Sequence, residues 1–415
     1  METKSKCGEK EECIWLETLI NKWAGKNLVA RIIEMDLNIA TSEGDNYLSI
    51  IYQAKLSVIL CNGMKSKLSV IIKKTHENKK MLNALTIPVF KIEIKVYKEI
   101  LRQFEVLMNE YQDYNEKSWC QLIGCRSYDT IVLEDLKVKN YVVADRKKML
   151  DLNHSKLVLH SLGRFHALGY ILIQKGLLQK EDLPPFYCDV GHITVQRSFK
   201  GGLMMLSNVI EKYWTPEWKE IGDRLYKEQN VVMGKLKKLF EPQENDFITL
   251  CHGDCWTCNM MFKYSPFEEN YPISFKFLDF QIAHVNSYIF DVMHFLYTSV
   301  QPEVRRTNYD LLLSTYHKSL LTTLALYGFE DRTPTLKSIH SEAERIEYYC
   351  FTTSIFALPI TIAEVKDAFK LEYLNNDSKW TEAYNEDIFK SDLYKSAVQP
   401  ELKKWFNKGL FKNNM

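Results

Sequence analysis

One short segment carries the residue types that phosphoryl transfer requires. It runs from Leu250 to Asn259 and reads Leu-Cys-His-Gly-Asp-Cys-Trp-Thr-Cys-Asn, which places Asp254 five positions before Asn259. In phosphoryl-transfer enzymes with a His-x-Asp-x-x-x-x-Asn loop, the Asp accepts the proton of the acceptor hydroxyl and the Asn binds a magnesium ion. A single loop can hold both groups at the reacting atoms. A buried loop with a few hydrogen-bonding side chains is the alternative interpretation.

A second carboxylate follows 25 residues after Asp254, in Phe277-Leu278-Asp279-Phe280-Gln281. Kinase-like enzymes place their principal magnesium ligand in an Asp-Phe-x segment of this kind. A hard divalent cation prefers anionic oxygen, which Asp279 can supply beside Asn259. An isolated Asp after an apolar strand is usually a turn residue. Its position one hairpin beyond the His-x-Asp loop favours the metal-binding role.

A lysine and a glutamate upstream could anchor the phosphates. Val70-Ile71-Ile72-Lys73 has the pattern of the kinase strand whose lysine contacts the α- and β-phosphates. Lys74 would point to the opposite face of that strand. Glu93 lies on the apolar stripe of the next predicted helix, where an unpaired carboxylate would be costly to bury. We therefore expect Lys73 to pair with Glu93, the alternative being that both are ordinary solvated side chains.

Other polar residues have weaker patterns. One cluster could suggest zinc and contains Cys251, His252, Cys255 and Cys258. It lacks the second ligand pair that finger-like zinc sites have, so we do not expect zinc. His166 lies on an apolar predicted helix and is expected to be a hydrogen-bonded core histidine. Asp291, among apolar residues, is expected either to brace the catalytic loop or to cap a helix.

The elements that must position these residues change in type along the chain. β-branched and aromatic residues predict strands over Tyr47–Leu60 and Leu68–Lys74, joined by a turn at Asn62-Gly63. A helix is predicted over Pro88–Phe104 and another strand over Thr130–Leu133. These elements indicate a β-rich amino-terminal lobe with one αC-like helix, residues 1–136.

From about residue 150 the apolar spacing becomes mainly helical. Helices are predicted at Ser155–Gln174, Leu203–Tyr213, Asp291–Val300, Asn308–Tyr327 and Ala343–Leu358, the last ended or kinked by Pro359. A β-like island lies between them, at Met260–Tyr264 and Ile273–Phe280. We therefore predict an α+β, bilobal fold whose helical second lobe, residues 137–415, carries the catalytic loop and an acceptor pocket.

Composition excludes several classes of function. The 415 residues include 54 Lys and Arg against 53 Asp and Glu, so a net charge of +1 gives no bulk attraction to nucleic acid. The ten cysteines are scattered, which is typical of a reducing compartment. The longest uncharged run, residues 348–363, is too short and too polar to span a bilayer. We expect a cytoplasmic protein without a membrane span.

In order, these segments resemble the insect ecdysteroid kinase-like family, also called CHK kinase-like, within the choline kinase and aminoglycoside phosphotransferase group. The resemblance extends from about Gly44 to Tyr297. The matching segments are Glu43–Ser49, Ile72-Lys73, Phe90-x-x-Glu93-x-x-x-Tyr97, Val132–Leu136, Leu162–Ala167, His252–Asn259 and Leu278–Gln281. Each is weak alone, whereas the ordered set is specific.

The resemblance implies a protein-kinase-like fold and a set of roles. Lys73 and Glu93 would form the phosphate-anchoring pair, with Asp254 as the base and Asn259 and Asp279 on magnesium. The backbone from Glu134 to Leu136 would receive adenine, and the covering turn would contact phosphate through Asn46 and Ser49, since it contains only one glycine.

The family also implies ATP and Mg²⁺ as cofactors and a small-molecule alcohol as acceptor. The leading acceptors are an ecdysteroid or a hydroxylated xenobiotic. The alternatives are a kinase of choline, ethanolamine or an aminoglycoside, and a catalytically silent nucleotide- or hormone-binding pseudokinase. Intact residues at all five catalytic and phosphate-anchoring positions argue against the silent protein.

Overall fold

An antiparallel five-stranded sheet forms the amino-terminal lobe. The computed structural model describes residues 6–40, 49–75, 89–126, 129–184, 192–243 and 246–411. The sheet contains β1 (Val29–Ile39), β2 (Ser49–Leu60), β3 (Lys65–Thr75), β4 (Leu122–Arg126) and β5 (Thr130–Glu134), in the order β1-β2-β3-β5-β4. Helix α1 (Lys6–Trp23) precedes it and contacts β1 and β4.

The hairpin predicted around Asn62-Gly63 joins β2 and β3. Gly63 has a φ of 83°, a conformation that glycine adopts without strain, and the Asn62 Oδ1 atom accepts a hydrogen bond from the Met64 amide at 3.1 Å. The resulting register places Lys73 opposite Ile51. On its other side Lys73 pairs with Ile131 of β5. The lysine therefore extends from the middle of the sheet.

One interrupted helix crosses between the sheet and the rest of the chain. It consists of α2 (Val89–Lys95), a π-helical turn (Val96–Ile100) and α3 (Leu101–Glu110). The apolar stripe predicted for this segment is buried, and Glu93 is buried with it. The helix is thus held by the core on the face that carries the glutamate.

The second lobe is mainly helical, as predicted. In the described residues its α-helices are α4 (Leu152–Gln174), α5 (Ile193–Tyr213), α6 (Lys219–Glu228), α7 (Val232–Phe240), α8 (Ile289–Thr298), α9 (Pro302–Thr307), α10 (Tyr309–Leu326), α11 (Leu336–Arg345), α12 (Glu347–Phe356), α13 (Leu358–Thr361), α14 (Asp387–Lys390) and α15 (Asp392–Lys408). Short 3-10 turns lie at Leu136–Lys139, Lys180–Asp182, Pro216–Trp218, Thr257–Asn259, Glu330–Arg332, Leu371–Asn375 and Trp380–Glu382. Among the described helices, none combines the length and apolarity needed to cross a bilayer.

Two small sheets carry the loops of this lobe. One joins β6 (Val142–Val143), β8 (Met260–Tyr264) and β9 (Pro272–Phe277), and the other pairs β7 (Ile248–Cys251) with β10 (His284–Ser287). Helix α4 packs against both β7 and β9. Its predicted inward stripe is buried and contains Val158, Leu162, Phe165, Leu168 and Leu172. Helix α4 therefore supports β7, the strand from which the catalytic loop begins.

The predicted α+β class is confirmed, with a β-rich amino-terminal part followed by a mainly helical part, whereas two predicted helices are wrong in their extent. The helix predicted at Leu203–Tyr213 begins ten residues earlier, at Ile193. The segment predicted as a single helix over Ala343–Leu358 belongs to three, since α11 ends at Arg345 and α13 begins at Leu358. Pro359 stands in the first turn of α13, where its missing amide hydrogen costs no helical hydrogen bond. The lobe boundary at residue 136 stays a prediction.

Candidate active site

Three charged side chains from distant parts of the sequence meet in the interior. The Lys73 Nζ atom lies 2.7 Å from Glu93 Oε2 and 2.6 Å from Asp279 Oδ1. The side chains of Lys73 and Glu93 are almost fully buried, whereas Asp279 keeps 15% of its surface. Strand alternation separates Lys74 from this group, and it pairs with Glu12 instead. The predicted contact between Lys73 and Glu93 is therefore present.

The charges of this cluster depend on one another. Burial by itself would lower the pKa of Lys73, but the nearby carboxylates of Asp279 and Glu93 outweigh it and raise that pKa above its usual range. Burial raises the pKa of Glu93, against the opposing effect of the Lys73 ammonium. The Glu93 Oε1 atom is buried without a hydrogen-bond partner among the described residues. Lysine is thus the group that keeps two carboxylates in one buried site.

The catalytic loop connects β7 to β8 and orients Asp254 through Asn259. The Asn259 Nδ2 atom donates hydrogen bonds to the backbone oxygen of Asp254 at 3.1 Å and to its Oδ2 atom at 2.8 Å. Because the amide nitrogen is committed to Asp254, the amide oxygen of Asn259 is the atom left for a cation. Burial and the negative charge of Asp279 raise the pKa of Asp254 to about 7, although Asn259 opposes this.

Asp291 holds the start of the loop in place. Its two carboxylate oxygens accept hydrogen bonds from the backbone amides of His252, at 2.6 Å, and Gly253, at 2.9 Å. Gly253 has a φ of 84°, and a Cβ atom there would lie 2.3 Å from the Ile282 carbonyl oxygen. Of the two roles considered for Asp291, bracing the catalytic loop is the one that its contacts support.

A buried histidine fixes Asp291 from behind. His166 contacts the Asp291 Oδ2 atom through Nε2 at 3.1 Å and the Tyr316 hydroxyl through Nδ1 at 2.9 Å. Burial would raise the pKa of Asp291, but the hydrogen bond from His166 and nearby positive charge lower it to about 2. An ionised carboxylate only accepts, so Nε2 of His166 carries the proton in its contact with Asp291. His166 is a hydrogen-bonded core histidine, as expected.

The segment around Asp279 has an unusual backbone. Asp279 has a φ of 62°, which is uncommon for a residue other than glycine and typical of functional sites. The preceding Leu278 is tied to the catalytic loop, because its amide donates to the Asn259 carbonyl and its carbonyl contacts His252 Nε2 at 2.9 Å. Phe280 packs its ring against Tyr97 at 5.3 Å. Asp279 and Asn259 are therefore held by one connected structure.

A cleft of about 800 Å³ opens above these groups. Lys73, Glu93, Asn259 and Asp279 line it, and so do residues 134–136. Its apolar walls contain Ala40, Ile51, Ile71, Leu133, Met261 and Leu278. Asp254 accepts a hydrogen bond from Asn259, which lines the cleft, and its own surface is partly exposed. The volume is within the range of small-molecule and cofactor sites.

The other predicted nucleotide contacts differ in what surrounds them. Leu136 and Glu134 line the cleft, and the Glu134 carboxylate accepts the Gln121 amide at 2.9 Å and pairs with Lys139. Ser49 is buried at the start of β2, where it pairs with Thr75 in the register. Asn46 lies outside the described residues. The nucleotide contacts proposed for these positions stay predictions.

Two features of the site depend on contacts that the sequence pattern does not signal. Residues 140–147 line the cleft, and Arg146 in this segment donates to the carbonyl oxygens of Thr361 at 2.7 Å and Ala363 at 2.8 Å. No motif marks these residues in the sequence. Within the described part of the chain, Cys251 of this segment lies near His166 and Asp291, and one potential ligand atom of each lies within 4.8 Å of the others. The Cys251 Sγ atom also lies 3.4 Å from the carbonyl oxygen of Ser287. The expectation that the cysteine-rich segment holds no zinc stays a prediction.

Comparison with known families agrees with this geometry. The sequence profile of the ecdysteroid kinase-like family matches residues 43–329, which include every charged residue of the cleft named above. The chain belongs to the ecdysteroid kinase-like family. It is accordingly a small-molecule kinase. The family match begins with the first segment on which the resemblance was based and ends at residue 329, beyond the last of them.

Solved structures of related shape are more distant. Choline kinase from Cryptosporidium parvum Iowa II has a TM-score of 0.45 and 12% identity, with 91% of each chain covered. Plasmodium vivax ethanolamine kinase has a TM-score of 0.37 and 13% identity, covering 88% of this chain and 84% of its own. The GDP complex of an aminoglycoside 2'-phosphotransferase-IIIa variant has a TM-score of 0.36 and 12% identity, covering 96% of this chain and 98% of its own. No curated protein sequence matches the chain.

Proposed function

We propose that this kinase transfers the γ-phosphate of ATP, in the presence of Mg²⁺, to a hydroxyl group of a lipophilic alcohol. An ecdysteroid or a hydroxylated xenobiotic is the leading acceptor. The observation that carries the proposal is the convergence of Lys73, Glu93 and Asp279 within hydrogen-bond distance beside the Asp254–Asn259 pair. A simple binding protein would have no need for a carboxylate base at the acceptor end of the cleft.

The lining of the cleft has the residue types that a nucleotide would require. Apolar walls formed by Ile51, Leu133 and Met261 suit the faces of an adenine ring, and the backbone between Glu134 and Leu136 offers peptide groups to its edge. At the other end, Lys73 would contact the α- and β-phosphates while Glu93 keeps it oriented. In the free protein the ammonium contacts Asp279 instead, so nucleotide binding would draw it from that carboxylate.

Two hard oxygen ligands are available for magnesium. The Asn259 amide oxygen is left unused by its hydrogen bonds to Asp254, and the Asp279 carboxylate retains a second oxygen beside the one that accepts from Lys73. Carboxylate and amide oxygens are the donors that Mg²⁺ prefers. When bound, the ion would neutralise charge on the β- and γ-phosphates. The donor set therefore suits the cofactor, and Asn259 and Asp279 would hold it.

Asp254 would orient the acceptor and take its proton. Its raised pKa of about 7 makes it a better proton acceptor than an ordinary aspartate while leaving a substantial ionised fraction near neutral pH. The hydrogen bond from Asn259 fixes which carboxylate oxygen remains free for the alcohol. Positioning of the hydroxyl and electrostatic stabilisation supply most of the rate in this chemistry. We propose Asp254 as the general base.

An acceptor screen tests the proposal. ATP consumption would be measured with hydroxylated steroids, plant phenolics, choline, ethanolamine and aminoglycosides, and each product identified by mass spectrometry. We expect Mg²⁺-dependent phosphorylation of an ecdysteroid or of a hydroxylated xenobiotic, absent in Asp254→Asn. Phosphorylation restricted to choline, ethanolamine or aminoglycosides would contradict the lipophilic acceptor. Nucleotide binding without transfer to any acceptor would favour a pseudokinase.

We further propose that the enzyme acts in the cytoplasm, in hormone metabolism or detoxification. Buried thiols support a reducing environment, since Cys120, Cys251, Cys255 and Cys350 are buried and form no disulfide. Fractionation of cells that express the full chain would test this location, and recovery of the protein with secreted material would contradict it.

A further inference from the structure

A second cavity of about 870 Å³ lies against the helix that carries Glu93. The end of α1 forms one wall, β4 and the residues before it form another, and the π-helical turn with α3 forms the third. Gly124 lets α1 approach β4 closely, because a Cβ atom there would lie 2.5 Å from a Leu19 methyl group. Of the residues that line this second cavity, Cys120 also lines the nucleotide cleft.

The lining of the second cavity is mixed, with polar and apolar side chains in similar measure, and it carries positive charge that no ion pair among the described residues offsets. Lys22, Lys98 and Arg102 line it, and within the described residues none of them forms an ion pair. The acidic residue of the lining, Glu105, is paired with Lys117 at 3.0 Å. Trp23 also lines the cavity and is 45% exposed. A molecule that fits here would bury apolar surface and place an anionic group near the three cations.

The floor of the second cavity is connected to the catalytic residues. The Tyr97 hydroxyl lies 3.1 Å from the Cys120 Sγ atom, and the Tyr97 ring packs edge-on against Phe280, next to Asp279. Tyr97 is one helical turn after Glu93 and belongs to the π-helical turn. Such turns are rare and occur frequently at functional sites. A molecule in the second cavity that displaces Tyr97 would therefore also displace the elements that position Glu93 and Asp279.

We propose that the second cavity is a regulatory site for a small amphipathic anion, that is, an apolar molecule with one phosphate or carboxylate group. Its occupant contacts Tyr97 and the π-helical turn and thereby changes the affinity of the cleft for nucleotide. The volume is within the range of small-molecule sites, and the three cations select an anion over a neutral molecule. The coupling to nucleotide rests on the function proposed above, whereas binding of the anion does not.

Decyl phosphate is the probe for the binding step. It would be titrated into the full chain below its micelle concentration, in parallel with decanol and with inorganic phosphate, while tryptophan fluorescence reports on Trp23 and Trp119 in the lining. The test variant is Lys98→Glu with Arg102→Glu. Its matched control is Lys237→Glu with Lys238→Glu, two exposed lysines on α7. We expect saturable binding of decyl phosphate that the test variant weakens about tenfold or more and the control leaves unchanged.

Several results would overturn the proposal. These are equal affinity in the test variant, equally tight binding of decanol, and binding to vesicles that contain phosphatidate without binding of free decyl phosphate. For the coupling, the affinity of a nonhydrolysable ATP analogue would be measured with and without saturating decyl phosphate. We expect a change of about fivefold or more in the wild type and none in the test variant. Failure to bind nucleotide at all would refute the proposed function, while the titration with decyl phosphate would still decide the site.

Discussion

The carboxylate of Asp254, which we propose as the base, should destabilise the folded protein, and its removal should reveal by how much. In the free protein the pKa of Asp254 rises from 3.8 to about 7, because the group is buried and faces the negative charge of Asp279. The folded state therefore binds more protons than the unfolded state between these values. The free energy of unfolding contributed by this group falls as pH rises through that range. Asn at the same position has no such dependence.

The size of the effect follows from the two pKa values. The difference between 3.8 and about 7 corresponds to at most about 4 kcal/mol. Partial exposure of Asp254 and loss of the charged acceptor for Asn259 both reduce it. We therefore expect Asp254→Asn to raise the free energy of unfolding by about 1–2 kcal/mol at pH 8 relative to its effect at pH 5.

The assay is urea unfolding of the metal-free protein at both pH values, with chelator present. Asp331→Asn is the matched control, because Asp331 is exposed and forms no ion pair among the described residues. The control should follow the wild type at each pH. A difference between Asp254→Asn and wild type that is the same at pH 5 and pH 8 would refute the argument that Asp254 is held at a raised pKa.

Three further substitutions test the surrounding structure. Lys73→Met leaves two carboxylates in a buried site without a cation, so the free energy of unfolding measured in urea should fall by about 3 kcal/mol or more. The loss should be smaller at acidic pH, where Glu93 binds a proton. An unchanged free energy of unfolding would contradict the pairing. His166→Ala should change kcat by a larger factor than it changes KM for ATP. His166→Gln, whose amide still donates to Asp291, should restore part of the rate. Equal rates in both variants would exclude a role of His166 in positioning Asp291. Gly253→Ala should lower the free energy of unfolding by about 2 kcal/mol, since the φ of 84° and the adjacent carbonyl oxygen oppose a Cβ atom. A free energy of unfolding equal to that of the wild type would show that the loop can relax.

The pairing of Lys73 with Glu93 could be predicted because its signals are local in sequence. Lys73 stands at a defined place in an apolar strand, and Glu93 interrupts an apolar helical stripe, where a buried carboxylate needs a partner. Strand alternation then separated Lys73 from Lys74. The 2.7 Å contact follows from these constraints.

The support of the catalytic loop was only half visible. The sequence left Asp291 with two roles, because a carboxylate among apolar residues can cap its own helix or receive distant amides. Its contacts with His252 and Gly253 depend on the tertiary placement of α8 beside the start of this loop, which no local spacing encodes. The positive φ of Asp279 is similarly invisible, since the same residue types adopt ordinary turns.

The second cavity had no signal in the sequence. The basic lining of the second cavity comes from α1, the π-helical turn and α3, which are far apart in the chain and carry ordinary surface lysines and arginines. The break between α11 and α12 was missed for a related reason. Apolar residues recur at helical spacing at Ala343, Ile346 and Cys350, so the apolar period continues where the backbone turns.

The most direct test of the account measures two quantities on one preparation of Asp254→Asn. The first is the affinity for Mg²⁺ and ATP, and the second is the rate of γ-phosphate transfer to the best acceptor from the screen. We predict nucleotide affinity close to that of the wild type, with transfer reduced by a factor of about 100 or more, because the base is lost while the phosphate-anchoring groups remain. Transfer at the wild-type rate would contradict the central claim that Asp254 receives the acceptor's proton.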